Sequence, residues 1–257
     1  MKIEWKTTAA AVWRQQKNKL HPVVEIDPVS LADLVGIQAQ KQQLIENTER
    51  FLKNMPANNA LLWGARGTGK SSLIKAILNE YKAEGLRLIE VYKNELFNLP
   101  EIVDEIRNKK YKYIIYCDDF SFEENENTYV VLKTILDGSI EPPPKNVLLY
   151  VTSNRRHLMP EYMKDNMASK VVDGEVHYSD AIEERISLSD RFGLWLSFYP
   201  PKIDEYLNIV DSYFPDFTGD RQTLHKEAKL FAQTRASKSG RTAKQFYNYY
   251  AGKECDQ

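Results

Sequence analysis

The residues with the most defined chemistry are Gly64, Ala65, Arg66, Gly67, Thr68, Gly69, Lys70 and Ser71, which satisfy the spacing G-x-x-x-x-G-K-[ST]. In such a run the glycines let the backbone curl until successive N–H groups face one anion, and the helix that follows, opening at Ser72, adds its positive N-terminal end. Lys70 then meets the β- and γ-phosphates of a nucleotide, and the Ser71 hydroxyl becomes a ligand of Mg²⁺. The plainer reading is a Gly-rich turn that matches by chance. An apolar run before it and a helical pattern from Ser72 to Tyr81 after it supply the context that such a turn lacks.

A phosphate loop needs an acidic partner at the end of another strand. Tyr113-Ile114-Ile115-Tyr116-Cys117-Asp118-Asp119 supplies one. Asp118 is expected to support the metal together with Ser71, and Asp119 to orient or deprotonate the attacking water. Taken alone, two carboxylates after an apolar run more often end a strand in a turn. Cys117, inside the run, reads as a small buried side chain.

The elements that must carry these groups follow from periodicity. Short apolar runs at 60–63, 87–91, 113–117, 147–152 and 194–198 alternate, over the first four, with helical patterns near 70–83, 100–109 and 127–137. Strands separated by helices predict βαβ units and a parallel five-stranded sheet flanked by helices. Ahead of it, Ser30 can cap a helix carrying Ile37, Leu44, Ile45, Phe51 and Leu52. Pro200-Pro201 stops the fifth strand, and three helical patterns near 202–213, 222–235 and 241–250 follow. The expected organisation is an N-terminal arm or accessory segment (1–30), an α/β nucleotide-binding core (31–200) and a C-terminal helical lid (201–257).

Composition narrows the classes. The 257 residues are 42% hydrophobic and 28% charged, enough for a sizeable core, and Lys+Arg 35 against Asp+Glu 36 removes an overall basic footprint. Two cysteines, Cys117 and Cys255, cannot build a disulfide framework or a four-thiolate metal site, and no run is apolar enough to span a membrane. The N-terminus lacks a signal-like apolar stretch, so a cytoplasmic location is expected.

From about Asp33 to the C-terminus the chain resembles the AAA+ ATPases. Asp33-Leu34-Val35-Gly36 is similar to the segment that lines the adenine pocket there, which implicates Val35 and Gly36. The strand ending Thr152-Ser153-Asn154 resembles sensor 1, which implies that Asn154 touches the γ-phosphate and the water; an Asn that merely starts a turn is the bland alternative. Ser189-Asp190-Arg191-Phe192-Gly193-Leu194 resembles the segment that carries an arginine finger into a neighbouring subunit, with Arg185 a second candidate. Ser239-Gly240-Arg241 opens a helix where sensor 2 stands, so Arg241 would reach the γ-phosphate from the lid. More narrowly, 118–123, 152–158 and 187–194 are similar to a bacterial AAA+ family known as a domain of unknown function. The resemblance implies ATP and Mg²⁺ as ligands and a homo-oligomer acting on a protein or nucleic-acid partner.

One departure is visible. Many AAA+ members have Asp-Glu where this chain has Asp118-Asp119. The shorter side chain misplaces the carboxylate, and ~1 Å can cost on the order of 10²-fold in rate, so slow hydrolysis is expected unless Glu123 returns to the site. Three functions stay open: a remodelling or loading ATPase, a nucleotide-gated switch with slow or no hydrolysis, and a small-molecule kinase. Lys238, Arg241 and Lys244 beside Phe246, Tyr247, Tyr249 and Tyr250 offer a base-stacking surface, although aromatics at helical spacing are more often core. The long segment 159–180 is a candidate partner-binding loop.

Overall fold

The computed structural model describes residues 3–120, 132, 136, 142–154, 170–172, 175–177 and 190–251. Its centre is a seven-stranded sheet of β1 (Ala10–Arg14), β2 (Lys19–Pro22), β3 (Ala60–Gly64), β4 (Leu86–Glu90), β5 (Lys112–Cys117), β6 (Val147–Ser153) and β9 (Leu194–Phe198), in the order β2-β1-β4-β5-β6-β3-β9. All neighbours are parallel except β1 and β2. β7 (Lys170–Val172) and β8 (Glu175–His177) form a separate antiparallel pair inside the segment read as a long connection.

The strands read as continuous apolar runs because both faces are covered. On one face Leu62, Ile114, Tyr116 and Tyr150 pack under α1 (Gln38–Leu52) and α2 (Lys70–Tyr81) through Leu44, Phe51, Leu73, Ile74 and Ile77. On the other, Leu61, Ile89, Tyr113 and Ile115 meet Ile102, Val103 and Ile106 of α3 (Leu99–Ile106). Leu132 and Leu136 also pack on this second face; the rest of the helix expected near 127–137 lies outside the described residues.

The expected five parallel strands are present, but the sheet is larger by β1 and β2, and the segment read as an arm is part of it. Ala10, Ala11 and Val12 pair with Leu88, Ile89 and Glu90. Trp5, Trp13 and Leu20 are buried in the core. Arg87, itself buried, donates from Nε to the Trp5 carbonyl at 2.8 Å and stacks its guanidinium 4.1 Å from the Tyr111 ring centroid. A buried Arg survives here because carbonyls take up its donors, and that anchors the chain on either side of Trp5. Ser30 does not cap a helix. Its amide and hydroxyl both donate to the Asp33 carboxylate, and α1 begins at Gln38.

The helices after Pro201 are α4 (Ile203–Tyr213), α5 (Arg221–Thr234) and α6 (Gly240–Tyr250). They share a core of Tyr206, Val210, Phe214, Leu224, Ala228, Ala243 and Phe246. Asp220 caps α5 by accepting from the Gln222 and Thr223 amides, and Ser239 caps α6 by accepting from Thr242 N–H. Phe246 is buried and Tyr247 and Tyr250 pack against this core, whereas Tyr249 is exposed.

Candidate functional site

The phosphate loop leaves β3 at Gly64, whose φ is +135°. A Cβ there would lie 1.9 Å from the Phe198 carbonyl oxygen, so β9 closes on the loop only because this residue is glycine. Ala65 N–H donates to that same carbonyl at 3.0 Å. Lys70 starts α2 and returns its ammonium into the curl, donating to the Gly64 carbonyl at 2.8 Å, the Ala65 carbonyl at 2.7 Å and Asn154 Oδ1 at 3.3 Å. Burial lowers the Lys70 pKa, while the Asp118 and then the Asp119 charges oppose that shift.

Three strand ends converge on this lysine. Ser71 Oγ donates to Asp118 Oδ1 at 2.7 Å. Thr152 Oγ1 donates to the same oxygen, and Asn154 Nδ2 donates to Asp119 Oδ1. Burial pushes the Asp118 carboxyl up, but the hydrogen bonds from Thr152 and Ser71 outweigh it and hold the group below its ordinary range. Asp119 takes φ +49°, a left-handed conformation that costs a non-glycine residue about 1–3 kcal/mol and that Asp tolerates better than most. Arg66 approaches its other oxygen at 3.9 Å, an exposed pair of little energetic weight.

These groups line a cleft of about 810 Å³. Its walls include Val35 and Gly36, the loop from Arg66 to Ser72, Asp118, Asp119, Asn154 and, from the helical subdomain, Arg241. The lid rests directly on the loop. Gly240 N–H donates to the Gly67 carbonyl at 3.0 Å, and a Cβ on Gly67 would come within 2.8 Å of Ser239 Oγ. The positive N-terminal end of α6 therefore abuts the phosphate loop.

Arg191 is placed differently. It precedes β9, whose Leu194 pairs with Ala60 at the start of β3, so it sits at the end of the sheet away from the loop and does not line the cleft. Glu123 and Arg185 lie outside the described residues. Sequence reasoning missed Thr152, which binds both acidic residues; its signal was its place two residues before Asn154, on the same side of the strand. It also missed Tyr199, Tyr213 and Lys244 as cleft residues. Their proximity depends on how the lid folds back.

Can the site hold Mg²⁺? A hydroxyl and a carboxylate oxygen 2.7 Å apart are hard oxygen donors of the kind this ion takes alongside substrate phosphates. Among the described residues no three His, Cys, Asp or Glu side chains gather into a larger metal cluster.

A family model described as "Protein of unknown function (DUF815)" matches residues 6–254. The chain belongs to that family. It is also an AAA+ superfamily member by its relatives. It is 39% identical over 70 residues to the replication factor C large subunit of Staphylothermus marinus, covering 27% of this chain and 16% of that one. It is 24% identical over 197 residues to the proteasome-activating nucleotidase of Methanocella arvoryzae, covering 66% and 47%. The chain thus spans less than half the length of these curated relatives. Its fold matches the Aeropyrum pernix Orc1 protein, solved in complex with DNA, with a TM-score of 0.59 at 18% identity, covering 82% of this chain and 58% of that one. The α/β sheet, the phosphate loop and the helical subdomain are thus those of an AAA+ member. No helix among the described residues is long and apolar enough to cross a membrane.

Proposed function

We propose that this DUF815 member is an ATPase that couples ATP binding and hydrolysis to remodelling or loading of a protein or nucleic-acid partner, acting as a homo-oligomer. The observation that carries the reading is the convergence of Lys70, Ser71, Asp118, Asp119 and Asn154 through direct hydrogen bonds at the mouth of one cleft, under the N-terminus of α6. Lys70 and the loop amides bind the β- and γ-phosphates, Asp119 holds the attacking water and takes its proton, and Asn154 fixes Asp119 and meets the γ-phosphate. Mg²⁺, held through Ser71 and Asp118, offsets charge on the phosphates when bound. Arg241 approaches the same phosphate from the lid.

Arg191 serves a neighbour in this reading, because it stands at the opposite end of the sheet from its own cleft. Arg191→Ala is expected to bind ATP nearly as wild type yet lose about 10³-fold or more in turnover, the worth of such a finger in other systems. Mixing it with Lys70→Ala restores part of the rate, since the lysine variant donates an intact finger to an intact pocket. A concentration-independent ATPase unaffected by Arg191→Ala would sink the shared site. The second reading, a nucleotide-gated switch with little turnover, is favoured by Asp119 standing where a longer carboxylate is common, and the same assay on wild type separates the two.

A further inference from the structure

Strand geometry alone would part the two carboxylates. Successive residues of a strand point to opposite faces. The β5–β6 register sets Cys117 beside Val151, so Asp118 falls beside Thr152, and an extended Asp119 would face the other way. The chain turns instead. Asp119 adopts φ +49° and its amide donates to Thr152 Oγ1 at 3.0 Å. The next amide, Phe120 N–H, donates to the Thr152 carbonyl at 2.7 Å. The same Thr152 hydroxyl spends its single proton on the Asp118 carboxylate. With 1% of its surface exposed, Thr152 is shielded from water that could replace these bonds.

From this arrangement we infer that Thr152 is a positioning residue that turns Asp119 back to the side of Asp118, and that an Asp at position 119 is matched to this turn. The inference deepens the ATPase reading and rests on it for its kinetic consequence. A left-handed backbone suits Asp, whose short polar side chain tolerates it, better than a longer side chain. From the turned position the Asp119 carboxylate already meets Asn154 and lines the cleft with Lys70. The missing methylene is compensated in the backbone. Sequence comparison with Asp-Glu sites predicts slow hydrolysis; the geometry predicts that lengthening the side chain makes matters worse.

Thr152→Val, Thr152→Ser and Asp119→Glu test this, each checked for folding by thermal melting. Thr152→Val keeps the shape but neither accepts nor donates; it is expected to lower kcat about 10–100-fold while KM for ATP moves by less than about 3-fold. Thr152→Ser retains the hydroxyl and restores kcat to within about 3-fold of wild type. Asp119→Glu turns over more slowly than wild type. In the nucleotide-free protein, hydrogen exchange at the Asp119 amide is faster in Thr152→Val than in Thr152→Ser, a readout independent of turnover. Wild-type kcat in Thr152→Val, unchanged Asp119 exchange, or a faster Asp119→Glu enzyme would each overturn the inference. Should Thr152→Val fail to fold, Asp119→Glu decides it alone. A wild type that neither binds nor hydrolyses ATP overturns the ATPase reading instead, and amide exchange still decides whether Thr152 holds the turn.

Discussion

On the sheet wall of the cleft the charged groups are already engaged with one another: Lys70 with two carbonyls and Asn154, Asp118 with Ser71 and Thr152, Asp119 with Asn154. On the lid wall Arg241 makes no hydrogen bond or ion pair among the described residues, and Lys244 lies over the rings of Tyr213 and Tyr247 at 5.1 and 4.8 Å. The sheet wall is braced by a buried parallel sheet whose register fixes every strand end. The lid wall is fixed to the loop through the start of α6. Preorganised groups contribute to binding without being ordered first, whereas a lid cation contributes by favouring one lid position over another.

Substitutions on the two walls should therefore differ in kind. Lys70→Ala removes the cation at the centre of the sheet wall and is expected to weaken Mg·ATP binding by on the order of 10²-fold or more, the range of lost charge-assisted bonds, as read by calorimetry. Equal affinities would break the comparison at its stronger side. Arg241→Ala is expected to leave ADP binding nearly unchanged and to narrow the ATP-to-ADP affinity ratio by roughly 10-fold, a typical coupling energy. An unchanged ratio would make Arg241 a surface residue.

The smallest effect belongs to Asp33, where the N-terminal segment joins the cleft. Its carboxyl is held below the ordinary range by the Ser30 amide and then the Ser30 hydroxyl. That stabilisation is complete above the unfolded value of about 3.9 and is lost as pH falls through the lower folded value. Because the group is exposed and screened, Asp33→Asn should cost less than about 1 kcal/mol at neutral pH. In acid melts the difference from wild type should disappear at the lowest pH. A gap that widens on acidification would contradict the assigned partner.

The strands and helices around the phosphate loop were legible because each has a long, one-sided signal: an apolar run buried on both faces, or a helical stripe with a cap such as Ser239. β1 and β2 were not. Their inward residues, Ala11, Trp13 and Leu20, are few and interrupted by the polar turn at 15–18, and their place is set by pairing with β4 and by Arg87 reaching Trp5 across the chain. At the site, Lys70 was readable from the G-x-x-x-x-G-K-[ST] spacing, Asp118 from its place at the end of an apolar run, and Asn154 from the resemblance of its strand to sensor 1. The part played by Thr152 was not, because it requires the β5–β6 register and the left-handed turn at Asp119.

Gly64 carries one more consequence. β9 starts just after Arg191 and ends with the Phe198 carbonyl seated on Gly64 and bonded to Ala65. A five-residue strand is a stiff rod of roughly 17 Å. Arg191, which we propose as the finger offered to a neighbour, and the loop proposed to hold the nucleotide thus stand near the two ends of one rod, so a displacement at one end is mechanically joined to the other.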